Sequence, residues 1–188
     1  FDALRPGQRG QDVAIRDSEF DNEAELQAWA FENSQVFFGT SILLPGFRIT
    51  TSAGKHAVPD GFCFNFDQRS WWIIECELLK HGVWQHIAEQ ITRFVVAARN
   101  PATLRQLRDR LFDETFEGGK LDAVAKSLGT DTVRLMQQIE LFLEGVSPSV
   151  AIFIDRTDQD LIDLCDALDT QSAIYEVKKF IVDGKAHY

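Results

Sequence analysis

VPDGFCFNFDQRSWWIIECELLKHGVWQHIAEQITRF, residues 58–94, is the stretch on which the fold turns. Two apolar runs, residues 62–66 and 71–79, flank the polar segment 67–70; they read as two strands and a hairpin turn. Successive side chains of a strand point to opposite faces. One face of the second run carries Trp72, Ile74, Cys76 and Leu78, all apolar. The other carries Trp71 and Ile73, then Glu75 and Glu77. Two carboxylates side by side repel, and buried charge is costly unless it is paired or holds a metal. A hard divalent cation with oxygen ligands is the simplest partner, and Asp60, just ahead of the first run, offers a third carboxylate. The plain alternative is a set of solvated charges on the exposed face of an amphipathic strand.

Working outward, Asp21 or Asn22 caps a helix over residues 23–33, with Leu26, Ala30 and Phe31 as its apolar stripe. A strand is expected around residues 47–51, followed by a turn at 52–55. His81-Gly82 ends the second strand of the hairpin. A helix then covers residues 83–98, halted at Asn100-Pro101. Residues 101–145 read as two or three helices broken at Gly118-Gly119 and Gly129. SVAIFID, residues 149–155, is a compact apolar strand; a helix over 158–168 and one or two terminal strands around 174–182 follow. Residues 1–16 read as an arm or a short strand. The expected class is α/β (α+β): a central mixed β-sheet flanked by helices in one domain, 1–188, with 101–149 as a helical insertion.

The constellation resembles the PD-(D/E)XK nuclease superfamily, whose fold is restriction-endonuclease-like. The family pattern is Pro-Asp at one strand, then an acidic residue, any residue and Lys on the next. Pro59-Asp60 matches the first half, and Glu75-Cys76-Glu77 stands at the second, with Glu where the commonest form has Lys. Some restriction enzymes of the superfamily use E-x-E. NEAELQAWAFENSQVFFG, residues 22–39, is similar to the opening helix of EndoMS/NucS-like nuclease domains, where Glu23 matches a glutamate near the site. Gln90 and Arg93-Phe94 are similar to the Gln and Arg-Tyr of the helix that follows the catalytic strand. Residues 150–188 resemble the closing strand, helix and strands of such domains; residues 101–149 match poorly.

The resemblance implies a metal-dependent endonuclease acting on nucleic acid, DNA rather than RNA. Asp60, Glu75 and the backbone carbonyl of Cys76 would hold Mg²⁺ or Mn²⁺. Glu77 would orient or deprotonate the attacking water or help hold a second ion. Glu23 and Gln90 would complete the catalytic set. His86, Gln90 and Arg93 fall at i, i+4 and i+7 on one helical stripe, beside the apolar Ile87, Ile91, Phe94 and Val95. That stripe would overhang the site, with His86 and Arg93 on substrate; an exposed helix face is the plain alternative. Lys80 is the nearest cation, but parity puts it on the face opposite Glu75, so it reaches the site only through a bulge.

Composition bounds these readings. Net charge is -10, and residues 101–188 hold 10 basic and 16 acidic residues, against 9 and 13 in residues 1–100. DNA binding draws on Lys and Arg at phosphates, so weak binding or a protein partner is expected. Residues 121–143 superficially read as helix-turn-helix, but Arg134, Gln137 and Gln138 are followed by Glu140 and Glu144, which suits helical packing better. The Asp160, Asp163, Asp166, Asp169 series reads as a solvated helix side. No G-x-S-x-G, G-x-G-x-x-G or phosphate-loop motif is present, and His86-Ile87-Ala88-Glu89 is not a zincin motif. Three scattered cysteines without C-x-x-C suit a reducing compartment, with the cytoplasm as default. No apolar run approaches the roughly 20 residues that span a membrane. The chain starts at Phe1 rather than Met, so the expectation is that something upstream has been removed, a leader or an additional N-terminal segment. Cutting two strands would suit a homodimer. The rival readings are an inactive binding or assembly module on the same fold, and a hydrolase of small phosphates.

Overall fold

Helix and strand starts follow local chemistry in the computed structural model, which describes residues 15–79 and 84–188. Strand β1 (Ile15–Ser18) leads into α1 (Glu23–Glu32). Asn22 caps α1 by accepting from the Glu25 N–H at 3.0 Å, and Glu23 and Glu25 lie at the positive end of its dipole. Helix α2 (Ser34–Phe38) follows, then β2 (Ile42–Pro45), β3 (Ile49–Thr50), β4 (His56–Ala57), β5 (Gly61–Asn65) and β6 (Ser70–Glu77). Helix α3 (Trp84–Ala98) ends just before Asn100, which caps α4 (Pro101–Glu117) by accepting from the Ala102 N–H at 3.0 Å. Pro101 takes the first helical position, where its missing N–H has no partner to lose. Helices α5 (Leu121–Leu128) and α6 (Leu135–Gly145) complete the helical segment. Strand β7 (Ser149–Ile154), α7 (Gln159–Ala167), β8 (Ser172–Glu176), β9 (Lys179–Val182) and β10 (Lys185–His187) close the chain.

The main sheet has the order β2-β5-β6-β7-β8. β2, β5 and β6 pair antiparallel; β6, β7 and β8 pair parallel, so the sheet is mixed and the class is α+β. A three-stranded antiparallel sheet, β1-β9-β10, and the β3-β4 hairpin lie apart from it.

Strand parity sorts the core as the sequence suggested. Trp71 and Ile73 join Phe62, Phe64, Leu107, Leu111, Ile139 and Phe142 under α4 and α6. Ile74, Cys76 and Leu78 join Leu26, Ala30 and Phe153 under α1. A third cluster packs Ile87 and Ile91 of α3 against Val150, Ile152 and Ile154 of β7. Each large side chain buried this way contributes roughly 2 kcal/mol. Because Glu75 pairs with Ile152 and Glu77 with Ile154, the two carboxyls share the sheet face covered by α3.

One expectation needs correction. The strand placed around residues 47–51 is only the two-residue β3, while the sheet-edge strand is β2. Ile42 and Leu44 point inward from β2, and Pro45 sits at its edge end, where no ladder N–H is required. The break at residues 118–119 and 129 resolves residues 101–145 into three helices; α5 and α6 bury Val124, Leu128, Leu135 and Ile139 as a packing pair. The arm at residues 1–14 and the strand end at His81-Gly82 lie outside the described residues.

Candidate functional site

Asp60 stands one residue ahead of β5. Since Gly61 pairs with Ile74, Asp60 falls across from Glu75. Its backbone N–H donates to the Ile74 carbonyl at 3.1 Å. Its carboxylate is held at both oxygens: Oδ2 accepts from the Cys76 N–H at 2.7 Å, and Oδ1 accepts from Gln27 Nε2 at 3.1 Å. Gly46 locks the loop from the other side, its N–H donating to the Asp60 carbonyl at 2.8 Å. A Cβ at Gly46 would lie 1.7 Å from the Pro59 carbonyl oxygen, so only glycine admits this approach.

Glu75 is 6% exposed and accepts a hydrogen bond from the Asp60 N–H, yet its Oε2 is buried without a partner among the described residues. Glu77 is likewise buried; its carboxyl is hydrogen-bonded to the Glu23 carboxyl, and its Oε1 accepts from the Leu78 N–H at 3.3 Å. Four acidic side chains from α1, the β5 entrance and β6 thus meet at the carboxyl end of β6.

Their electrostatics agree. Burial pushes the Glu75 carboxyl up to about 9, with the Asp60 charge adding to it and the Asp60 N–H acting the other way. Burial and the shared hydrogen bond with Glu23 push Glu77 up to about 8. Asp60 is raised by burial, against the pull of the Cys76 N–H, and the Glu23 charge raises it further. The neighbouring charges that chiefly shift these three groups, those of Glu23, Asp60 and Glu77, are all negative. Protons relieve the repulsion near neutral pH, and a cation would displace them.

Among the described residues, no group of three or more His, Cys, Asp or Glu is placed to hold a metal ion. The donor chemistry nevertheless fits a hard cation. All the candidates are oxygens, and the orphaned Glu75 Oε2 lacks only a positive partner. Mg²⁺ keeps several waters and is bound through one or two carboxylates plus substrate oxygens; Asp60 and Glu75 are the two carboxylates that would supply them.

The remaining sequence candidates divide. Gln90 lies on α3 between Ile87 and Ile91, and its Oε1 is a second buried oxygen without a partner among the described residues. Arg93 is elsewhere: it pairs with Glu89 and lines a groove of about 770 Å³ with Thr51, Lys55 and Val96. No member of the acidic cluster lines that groove. Lys80 and the side chain of His86 lie outside the described residues. Two residues had escaped the sequence reading. Gln27 carries the signal of its i+4 spacing from Glu23 on α1. Asp155, which accepts from the Leu79 N–H at 2.8 Å, is marked by its place at the end of the apolar SVAIFI strand.

The mixed sheet and its buried acids define a mixed α/β protein with an acidic cluster at the carboxyl end of a central strand. Comparison of the chain with protein-family models, curated proteins and solved structures finds no match.

Proposed function

We propose that the protein is a divalent-metal-dependent endonuclease of the restriction-endonuclease-like kind, hydrolysing phosphodiester bonds in DNA. The carrying observation is the buried Glu75 Oε2, without a partner among the described residues, in a cluster where the Asp60, Glu77 and Glu23 charges all act against its ionisation. The β5–β6 hairpin that bears Pro59-Asp60 and Glu75-Cys76-Glu77, with α1 before it and α3 after it, supports the family reading.

In this reading Asp60, Glu75 and the Cys76 carbonyl hold Mg²⁺ or Mn²⁺. The bound ion supplies Lewis-acid polarisation of a phosphate oxygen and a water of lowered pKa. Gln27 and the Cys76 N–H fix the Asp60 carboxylate, so its free lone pairs keep one direction. Glu77 shares a hydrogen bond with Glu23, and this pair is the place where a proton from the attacking water is taken up. Gln90 Oε1 is free to accept from a water or a sugar hydroxyl.

The test is cleavage of plasmid and single-stranded DNA with Mg²⁺ or Mn²⁺ by the parent, Asp60→Ala and Glu75→Ala proteins. Cutting by the parent alone, with both variants folded, is the expected result. Equal cutting by all three would remove the site assignment. The net charge of -10 favours a second reading, an inactive assembly module on the same fold, and a parent that binds neither metal nor DNA would select it.

A further inference from the structure

Because β6, β7 and β8 run parallel, their carboxyl ends share one edge of the sheet. Glu75 and Glu77 lie at the end of β6, Asp155 and Arg156 just past β7, and Val177 and Lys178 just past β8. A polar cleft of about 320 Å³ opens there, lined in part by Phe20, Arg156 and Lys178. A smaller cavity of about 190 Å³ shares Glu19, Phe20, Asp155 and Arg156 with it and extends to Leu79. The hydrogen bond from the Leu79 N–H to Asp155 therefore ties the cleft to the end of β6, two residues past Glu77.

The cations of this cleft differ in what they already hold. Lys179 is buried and engaged by Glu25 at 2.6 Å. Arg156 is exposed and has no ion pair among the described residues. Lys178, 58% exposed, meets Glu176 at 2.9 Å, but that carboxylate also accepts from the Thr157 N–H at 2.9 Å. An exposed pair of this kind is weak and yields readily to a phosphate. Asp155 accepts from the Leu79 N–H, while Asp17 and Glu19 also line the cleft and repel an anion.

We infer that Arg156 and Lys178 anchor a backbone phosphate of the nucleic-acid strand next to the scissile one. The inference rests on the endonuclease reading above. A chain this acidic needs local cations to seat a polyanion, and the guanidinium fork of Arg156 suits the two free oxygens of a phosphodiester. The acidic pocket would then hold the reacting phosphate through its cation, and the cleft its neighbour.

The experiment measures binding of a fluorescent single-stranded oligonucleotide and its duplex to the full chain carrying Glu75→Gln, across a salt series with Mg²⁺. Adding Arg156→Ala or Lys178→Ala is expected to weaken binding about tenfold each. Each should also shrink the slope of log affinity against log salt by about 0.7 to 0.9. Arg156→Lys should restore the slope and part of the affinity, which a merely structural role would not produce. Arg105→Ala, on the exposed side of α4, should change neither. Unchanged affinity and slope in the Arg156→Ala, Lys178→Ala double variant, beside a parent that cuts DNA, would overturn the anchor and leave the endonuclease standing. Absence of both binding and cutting would overturn the two together.

Discussion

Replacing Glu75 by Gln should stabilise the metal-free protein, against the usual outcome of altering a buried polar residue. The carboxyl titrates near 4.5 in an unfolded chain and at about 9 in the fold. An acid whose folded value is raised contributes fully below the unfolded value and loses that contribution as pH rises through the folded one. Folding at pH 7 therefore takes up a proton, at about 1.4 kcal/mol per pH unit above 4.5, or about 3 kcal/mol. Gln keeps the shape without that cost but weakens the hydrogen bond from the Asp60 N–H by about 1 kcal/mol. The net gain expected at pH 7 is about 2 kcal/mol; near pH 4.5 only the hydrogen-bond loss remains and the variant is the less stable by about 1 kcal/mol, while toward pH 9 the gain grows. Glu77, raised to about 8, adds a slope of the same sign to both proteins. Urea unfolding followed by the fluorescence of Trp71 and Trp72, with chelator, at pH 5, 7 and 9, measures it. Excess Mn²⁺ should then stabilise the parent alone, by about 2.7 kcal/mol at a hundredfold excess over Kd. Stability curves for parent and Glu75→Gln that run parallel from pH 5 to 9 would refute the account of this pocket.

Gln27→Leu removes the donor on Asp60 Oδ1 at 3.1 Å, so Mn²⁺ affinity by calorimetric titration should fall at least about tenfold while stability changes by about 1 kcal/mol. Unchanged affinity would show that Asp60 is oriented by the Cys76 N–H alone. Gly46→Ala forces a Cβ to within 1.7 Å of the Pro59 oxygen and 2.8 Å of the Asp60 oxygen, both backbone atoms that cannot step aside cheaply. It should cost about 3 kcal/mol by denaturant titration and abolish cleavage, whereas Gly145→Ala, with nothing within 4 Å of its Cβ, should do neither. A tolerated Gly46→Ala would mean that the Asp60 loop adjusts without loss of the site.

The parity of WWIIECELL makes much of the candidate site legible in the sequence. A single period-two reading separated the Trp71, Ile73, Glu75, Glu77 face from the Trp72, Ile74, Cys76, Leu78 face, and the clusters on the two sides of the sheet keep that division. The glycine breaks among α4, α5 and α6 were equally local signals. Gln27 was not legible, because its role depends on α1 reaching a loop 33 residues away. β2 was hidden by its brevity and by Pro45, which reads as a turn until antiparallel pairing with β5 is known. Arg93 shares a helical stripe with Gln90 in projection, yet the β3–β4 hairpin packs along that flank of α3 and gives it a different neighbourhood. Helical spacing fixes a direction from the axis and says nothing of what stands there.

The parallel pairing of β6 with β7 bears on how the chain comes together. Residues 78–148 separate the two strands, so during synthesis the β5–β6 hairpin exists well before its central partner. Closing so long a loop is slow, and for that interval the outer edge of SWWIIECE stands open, apolar on both sides over most of its length. Such an edge invites pairing with the same segment of a neighbouring nascent chain. Glu75 and Glu77 sit on that edge; in water they are ionised and repel their own copies, as gatekeeper charges do. They lose this character only when β7 docks and buries them. The acidity that marks the finished pocket thus also protects the unfinished strand from aggregation.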